Sequence, residues 1–356
     1  MRAFKFNGRF QPYVFQVLFD LEFMLRYFLL ELLLPLSFFL LVLFVFWYLQ
    51  ARLVLRVYYG TVLPELRRNG ILYGIFGNLA VASHEILGHA LVSALTGSTP
   101  TLHTAITPEH AEVRIAHRRT AWGYLSAVLA TLAPCFMPPL VLLAIFAILF
   151  PDTLYFDDRD PGGLLYTLYY DAANILDTLF NSSLANPSVL VIFLLAPIFS
   201  LTAGASKVDF RIVIQQSARY WYFLGFLLLF FSASLEMVRA LLGFSHVRQV
   251  FYPIIAILLL SFFVVLLGLT IALMVTAYLS AMRGLPRWQK LLSFLAFPTV
   301  YAAFLYYSPA ISPFYLAAFI ASSLASVVLL ALLRLLPRVF RRPRAPPEAL
   351  KRLRRK

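Results

Sequence analysis

Charge is what this sequence has least of. Of its 356 residues only 13% are Asp, Glu, Lys or Arg, while 61% are hydrophobic. Soluble domains run at about 25% charged and about 45–50% apolar. A deficit of this size excludes an ordinary soluble domain and points to a chain whose solvent is lipid. Negative charge is scarcer still, with 16 acidic residues against 30 basic ones and a net charge of +14. Cysteine is nearly absent. The single Cys135 excludes an intramolecular disulfide and is expected to pack as a small apolar residue in a helix. No strong internal repeat is visible, which disfavours a symmetric transporter. No cleavable leader is expected from these residues. The first apolar run starts near Tyr27, after Arg2, Lys5, Arg9 and Arg26, has no small-residue cleavage site, and reads as a retained helix.

What is abundant is apolar length. Windows of about 20 apolar residues, enough for a spanning helix, recur along the chain. The fold expected is an all-α polytopic membrane protein with about eight transmembrane helices. The spans fall at 32–49, 71–96, 121–150, 188–204 (or on to 216), 220–235, 253–278, 291–307 and 314–336. A basic connector after the first, "ARLVLRVYYGTVLPELRRNG", suits the membrane surface. Between spans two and three, Thr101–Thr107 and Ala111–His117 alternate apolar and polar residues around "TPEHA". That pattern predicts a small β-hairpin on the cytoplasmic side. Pro134, Pro138 and Pro139 are expected to kink or divide span three.

Basic residues set the expected orientation. Arg338, Arg341 and Arg342 put the C-terminus in the cytoplasm, and the N-terminus follows. Arg283, Arg287 and Lys290, then Lys207, Arg211 and Arg219, then Arg118 and Arg119, fall on that same side. The acidic segment "PDTLYFDDRDPGG" falls outside. Arg52, Arg56, Arg67 and Arg68 are the exception, because the same rule leaves them outside. The tail "PRVFRRPRAPPEALKRLRRK" directly follows an apolar helix, so it reads as an anchor touching anionic lipid headgroups, with no role in binding nucleic acid.

The chemistry-bearing stretch is "SHEILGHA", Ser83–Ala90, inside span two. Zinc proteases commonly place two His at i, i+4 with Glu between, because residues four apart share a helix face. Here His84 and His89 are five apart. On a regular helix that is about 140° of rotation, too far to share one ion. One extra residue absorbed in a π-bulge restores the common face, and Gly88 makes such a distortion cheaper. Three ionisable groups within six residues of a spanning helix are hard to explain by packing alone. A polar helix-packing network is the plainer alternative.

The lengthened H-E-x-x-x-H resembles the motif of the dipeptidyl peptidase III family, soluble zinc exopeptidases that set a precedent for the spacing. There His84 and His89 would be ligands and Glu85 the base. A broader stretch, "HEILGHALVSALTGSTPTLHTAITPEHAEVRIAH", is similar to the start of the site-2 protease family of intramembrane zinc metalloproteases. In that family an H-E-x-x-H-A helix leads into a Thr-Gly turn, a strand hairpin and another span. The resemblance implies a Zn²⁺ held by His84, His89 and a third ligand, an Asp, from the core helix two spans later. Asp209 in "LTAGASKVDFRIVIQQ" occupies that place, although Phe210 follows it where the family has Gly. Asp209 reads alternatively as a juxtamembrane residue paired with Lys207 or Arg211. Spans two and four run the same way, and His89 and Asp209 lie roughly 27 and 31 Å along them, so their depths agree.

The implied activity is that of a zinc-dependent endopeptidase cutting within or beside a transmembrane segment of a substrate protein. Zn²⁺-bound water is the nucleophile and Glu85 the general base. The alternative is a noncatalytic protease-like scaffold or a transporter that uses the cluster for cation binding or helix packing. The expected organisation is an N-terminal segment (1–70), a site-2-protease-like core (71–216), four added helices (217–336) and a basic tail (337–356). His103, His110 and His117 recur every seven residues and read as solvated loop histidines. Asn186-Pro187 reads as a helix start, though the family also uses an Asn-Pro pair to hold substrate. Oligomeric state is not set by anything in the sequence.

Overall fold

The fold comes from a computed structural model that describes residues 26, 28–109, 111–116, 120–154, 163–182, 186–242, 244–307 and 314–339. The described chain is mostly helical, with one two-stranded antiparallel sheet. Apolar segments favour this because a helix satisfies its own backbone N–H and C=O groups where no water can. Helix α1 is Leu34–Val57 and is prolonged by a π turn, Tyr58–Val62, and a short helix, Leu63–Leu66. Helix α2, Gly70–Leu95, mixes α and π turns. Strands β1 (Thr99–Leu102) and β2 (Val113–Ala116) follow. Then come α3 (Ala121–Leu132), α4 (Met137–Leu149), α5 (Gly163–Asn181), α6 (Pro187–Ser200) and α7 (Lys207–Arg219). The last four are α8 (Trp221–Leu242), α9 (Phe244–Ala281), α10 (Arg287–Tyr307) and α11 (Phe314–Val339).

Among the described residues four helical stretches are long and apolar enough to cross a membrane. They are Leu40–Leu66, Gly70–Leu95, Ile254–Ala281 and Ala317–Arg334. A fifth is added if α3 and α4 cross as one, bent by 61° where they meet. Pro134, Pro138 and Pro139 lie at that bend, and Ala133–Cys135 there is a 3₁₀ turn. Ring closure removes N–H donors and crowds the preceding turn, so the prolines divide the span as expected. Of the remaining expected spans two are shorter apolar helices, and α10, although 21 residues long, is not among the four. The apolar stretch of α8 is Trp221–Ser234, and α6 has 14 residues.

Two local expectations change. The basic connector after span one does not lie apart from it but continues the helix. Ala51, Val54, Val57 and Tyr58 bury one side while Arg52 and Arg56 stay exposed on the other, which is a helical period that sustains the helix. The hairpin is shorter than expected and begins earlier, with Thr99 opposite Ala116 and Leu102 opposite Val113. The described residues 103–109 and 111–112 form loop instead of strand, with Pro108 held against the helices by the Tyr58 hydroxyl and Gly77. The acidic segment beyond residue 154, His110, His117–Arg119, the first 25 residues and the tail after residue 339 lie outside the described residues.

One core joins the ends of α1, α2 and α9 through Val54, Tyr58, Ala80, Val265 and Leu269. A second joins α4, α5, α6 and α9 through Leu142, Ile175, Ile192 and Leu260. Helix α9 therefore packs into both. Gly268 permits this, because a Cβ there would overlap Ser200 and Ala196 of α6. Asn186 caps α6, its Oδ1 accepting the Ser188 N–H at 3.0 Å.

Candidate metal centre

The awkward histidine spacing is accommodated by the backbone. Ser83–Ala90 is π-helical, and the Leu91 N–H donates to the Ile86 carbonyl five residues back. An i→i+5 repeat brings the fifth residue over the first. The rings of His84 and His89 accordingly meet edge to face, with centroids 5.0 Å apart. Ligand atoms of His84, Glu85 and His89 all lie within 4.8 Å of one another, a group able to hold a metal ion. Gly88 seats the widened turn against the α3–α4 break. A Cβ there would stand 2.7 Å from Pro134 Cγ and 3.0 Å from its Cα.

Both imidazoles are oriented by backbone carbonyls. His84 Nδ1 lies 2.9 Å from the Thr202 carbonyl, and His89 Nδ1 lies 2.9 Å from that of Ala130. A carbonyl only accepts, so in each neutral ring Nδ1 carries the hydrogen and Nε2 keeps its lone pair. This is the tautomer a metal-ligating imidazole needs, with its other nitrogen anchored to the protein.

Asp209 reaches the cluster on the His89 side, outside the group of three whose ligand atoms lie within 4.8 Å of one another. Its Oδ1 is 3.8 Å from His89 Nε2, and both side chains are largely buried. Its other oxygen accepts the Ser206 N–H at 2.6 Å, while Ser206 Oγ accepts the Asp209 N–H at 3.2 Å. This reciprocal cap fixes the first turn of α7. A helix start therefore fixes the carboxylate, and no glycine after it is required. The alternative pairing with Lys207 or Arg211 does not form among the described residues. Two ligands about 2.0–2.2 Å from one zinc at a tetrahedral angle stand about 3.4 Å apart. The observed 3.8 Å is close to that separation. The donor set suits Zn²⁺ without selecting it over other first-row divalent ions.

Glu85 is buried beside the histidines, and its Oε2 accepts the Val113 N–H of β2 at 3.3 Å. The His103 N–H donates to the Glu112 carbonyl, so Glu112 faces β1. Alternation then turns the backbone groups of Val113 and Ile115 outward. That outer edge borders a cavity of 620 Å³ whose walls include His84, Glu85, His89, Asp209 and Glu109. His103 is exposed and stands outside the cluster.

Several supports were not visible beforehand. Gln50, 2% exposed, donates through Nε2 to the carbonyls of Cys135 and Ala203, both at 2.7 Å. It thereby ties α1 to the α3–α4 break and to the loop leading into α7. Gly204 lets that loop press on Ala51, since a Cβ would stand 2.7 Å from the Ala51 Cα. Ser206 was legible in principle, because S-x-x-D before an apolar stretch is a capping signature. The carbonyls of Ala130 and Thr202 carry no side-chain signal at all. No known protein family, characterised protein or solved structure matches the chain.

Proposed function

We propose that this chain is an intramembrane zinc metalloprotease, a divergent protein of the site-2 protease kind, hydrolysing peptide bonds in or next to transmembrane segments of other proteins. The observation that carries the reading is the π turn at Ser83–Ala90. It brings two imidazoles of the ligating tautomer together with Glu85 and sets His89 beside Asp209. Such a turn is rare and is frequently found at functional sites. A buried ionisable cluster is also expensive in lipid unless a cation neutralises it.

His84, His89 and Asp209 would hold the ion. Zinc in such a site supplies a Lewis acid for the scissile carbonyl and makes water nucleophilic near neutral pH. Glu85 takes the proton from the attacking water and delivers it to the leaving amine nitrogen. The outer edge of β2 receives the substrate as an added strand, because a helical peptide hides its amides in its own hydrogen bonds. For that, the Val113 N–H must exchange Glu85 for the incoming backbone. Helices α6, α8 and α10 complete about eight crossings. Both termini then lie in the cytoplasm, and the basic tail meets anionic headgroups. The second reading is a noncatalytic scaffold or a transporter with a cation site. The existing bond between Glu85 and Val113 favours it, since the fold already uses that carboxylate.

Elemental analysis of the purified chain is expected to give about one zinc per molecule, lost on replacing His84 or His89 by Ala. Glu85→Gln should keep the zinc. It should slow cleavage of single-span membrane proteins in proteoliposomes by about 10²–10⁴-fold. Proteolysis that survives this substitution removes Glu85 as the base. A metal-bound wild type that cuts none of the panel supports the second reading.

A further inference from the structure

A second cavity, of 340 Å³, adjoins the histidine cavity along the seam between α1 and α7, and Leu55 lines both. On α1 and its π extension, Tyr48, Arg52, Leu55 and Tyr59 follow one another at intervals of three and four, which places them on one helix face. The first three border the smaller cavity and the last two the histidine cavity. Helix α7 supplies the opposite wall of each. Lys207 and Arg211 line the smaller cavity, while Val208, Asp209 and Ile212 line the other. The helix from Arg52 to Tyr59 is roughly 10 Å long. An extended peptide covers that distance in about three residues.

The smaller cavity is cationic. Arg52, Lys207 and Arg211 line it, and no acidic side chain does. No carboxylate among the described residues pairs with any of the three. Asp209 is committed elsewhere, one oxygen to the Ser206 N–H and the other toward His89. Arg52 is held in place, its Nε and Nη2 donating to the Tyr48 hydroxyl at 2.9 and 2.6 Å. Arg52 lies near the middle of the apolar stretch Leu40–Leu66, as His84 and Glu85 do in Gly70–Leu95. Like charges gathered at that depth cost free energy unless an anion joins them. A lipid headgroup stays at the membrane surface, whereas a spanning peptide can carry a carboxylate this deep. That carboxylate is itself expensive in lipid without a cation, so cleft and side chain complement each other. We propose that the cleft receives an Asp or Glu side chain of the membrane peptide whose backbone lies in the histidine cavity, about three or four residues from the bond beside the histidines. The inference rests on the protease reading and adds a substrate class to it, spanning segments with an acidic residue close to the cleaved bond.

The test uses the full chain in phosphatidylcholine proteoliposomes, with single-span substrates that differ only by Asp or Asn at positions on either side of the cleaved bond. On one side Asp should raise kcat/KM about 30-fold over Asn, from roughly threefold per cation. Arg52→Gln should lower that preference to about tenfold. Lys207→Glu/Arg211→Glu, whose native side chains are both exposed, should reverse it in favour of a Lys-bearing substrate. The preference is a ratio taken within each variant, so a general loss of activity leaves it readable. Arg219→Gln/Arg287→Gln/Lys290→Gln removes three exposed cations elsewhere and should keep the preference. Equal loss there would mean diffuse attraction to a basic protein and overturn the proposal. Abolition of the preference by added phosphatidylglycerol would assign the cleft to lipid and overturn it as well. Equal cleavage of Asp and Asn substrates by the wild type overturns it while the protease reading stands. If the wild type cleaves none of them, fluorescence anisotropy decides, with labelled single-span peptides carrying Asp or Asn at their centre in neutral detergent. Tighter binding of the Asp peptide that Arg52→Gln weakens keeps the carboxylate site without the protease. Equal binding of the two peptides overturns both.

Discussion

At the scale of the residue, the metal centre depends on groups that carry no charge. Gly88 precedes His89 and touches Pro134 so closely that a methyl has no room. Gly88→Ala should push the π turn off the α3–α4 break and destabilise the fold by about 1–3 kcal/mol, as overpacking does. Measured by thermal unfolding and zinc titration, it should weaken metal binding although every ligand is intact. Unchanged affinity would show that the turn holds its shape without that contact. His84, Glu85 and His89 were legible because three ionisable side chains stand out in an apolar helix. Asp209 was singled out by the family resemblance, with a depth that agreed. Gln50 was not, since one amide in a run of aromatics announces nothing until its two carbonyl partners are brought to it.

At the scale of the element, the sequence betrayed one π turn and the protein has more. Histidine spacing exposes the turn at Ser83–Ala90 because a shared ion demands a common face. Tyr58–Val62 and Tyr73–Gly77 have no such fixed pair to give them away. Yet both serve the hairpin. The Tyr58 hydroxyl donates to the Pro108 carbonyl at 2.7 Å, the Tyr73 hydroxyl donates to Glu109, and Gly77 makes room for Pro108. Arg67 completes the contact with Glu109 at 3.1 Å, and the Tyr59 hydroxyl lies 3.5 Å from the Glu109 carbonyl. The Tyr73 hydroxyl, then Arg67, hold the Glu109 carboxyl below its usual range. A depressed value means that the latch contributes in full above the ordinary glutamate pKa and is lost as pH falls through the lowered one. Amide exchange of residues 103–112, corrected for intrinsic rates, should therefore rise in mildly to strongly acidic solution. In Glu109→Gln it should already be raised at neutral pH and respond less to acid. The hairpin itself was predicted from alternation, but its strands came out shorter because Pro108 and its contacts belong to the helices beneath.

At the scale of the whole molecule, the later helices are joined to the site-bearing part by the packing of α9 and by one largely buried carboxylate. Glu65, just beyond α1, pairs with Arg68 at 3.3 Å and also with Arg283 from the turn between α9 and α10. Removing one partner of a buried charge leaves the other short of neutralisation. Arg283→Ala should cost about 1–3 kcal/mol, less than a fully buried pair because Arg283 is half exposed and Arg68 remains. A lower unfolding temperature checks this, and no change would show that apolar packing of α9 alone unites the two parts. Composition made the lipid-facing, helical character plain. It could not show that α9 enters both cores, because uniform apolarity along that helix leaves its partners unspecified.

Cys135 lies in the 3₁₀ turn at the bend, fully buried, with its sulfur accepting the Ala205 N–H at 3.2 Å. The only thiol is thus sealed at the junction of three segments. A maleimide or spin label added to the native protein finds nothing to react with while that junction is closed. A cysteine introduced at any exposed position becomes a clean reporter without first stripping the background. Labelling of the unaltered chain, in turn, marks the moment when the junction beneath the histidines opens.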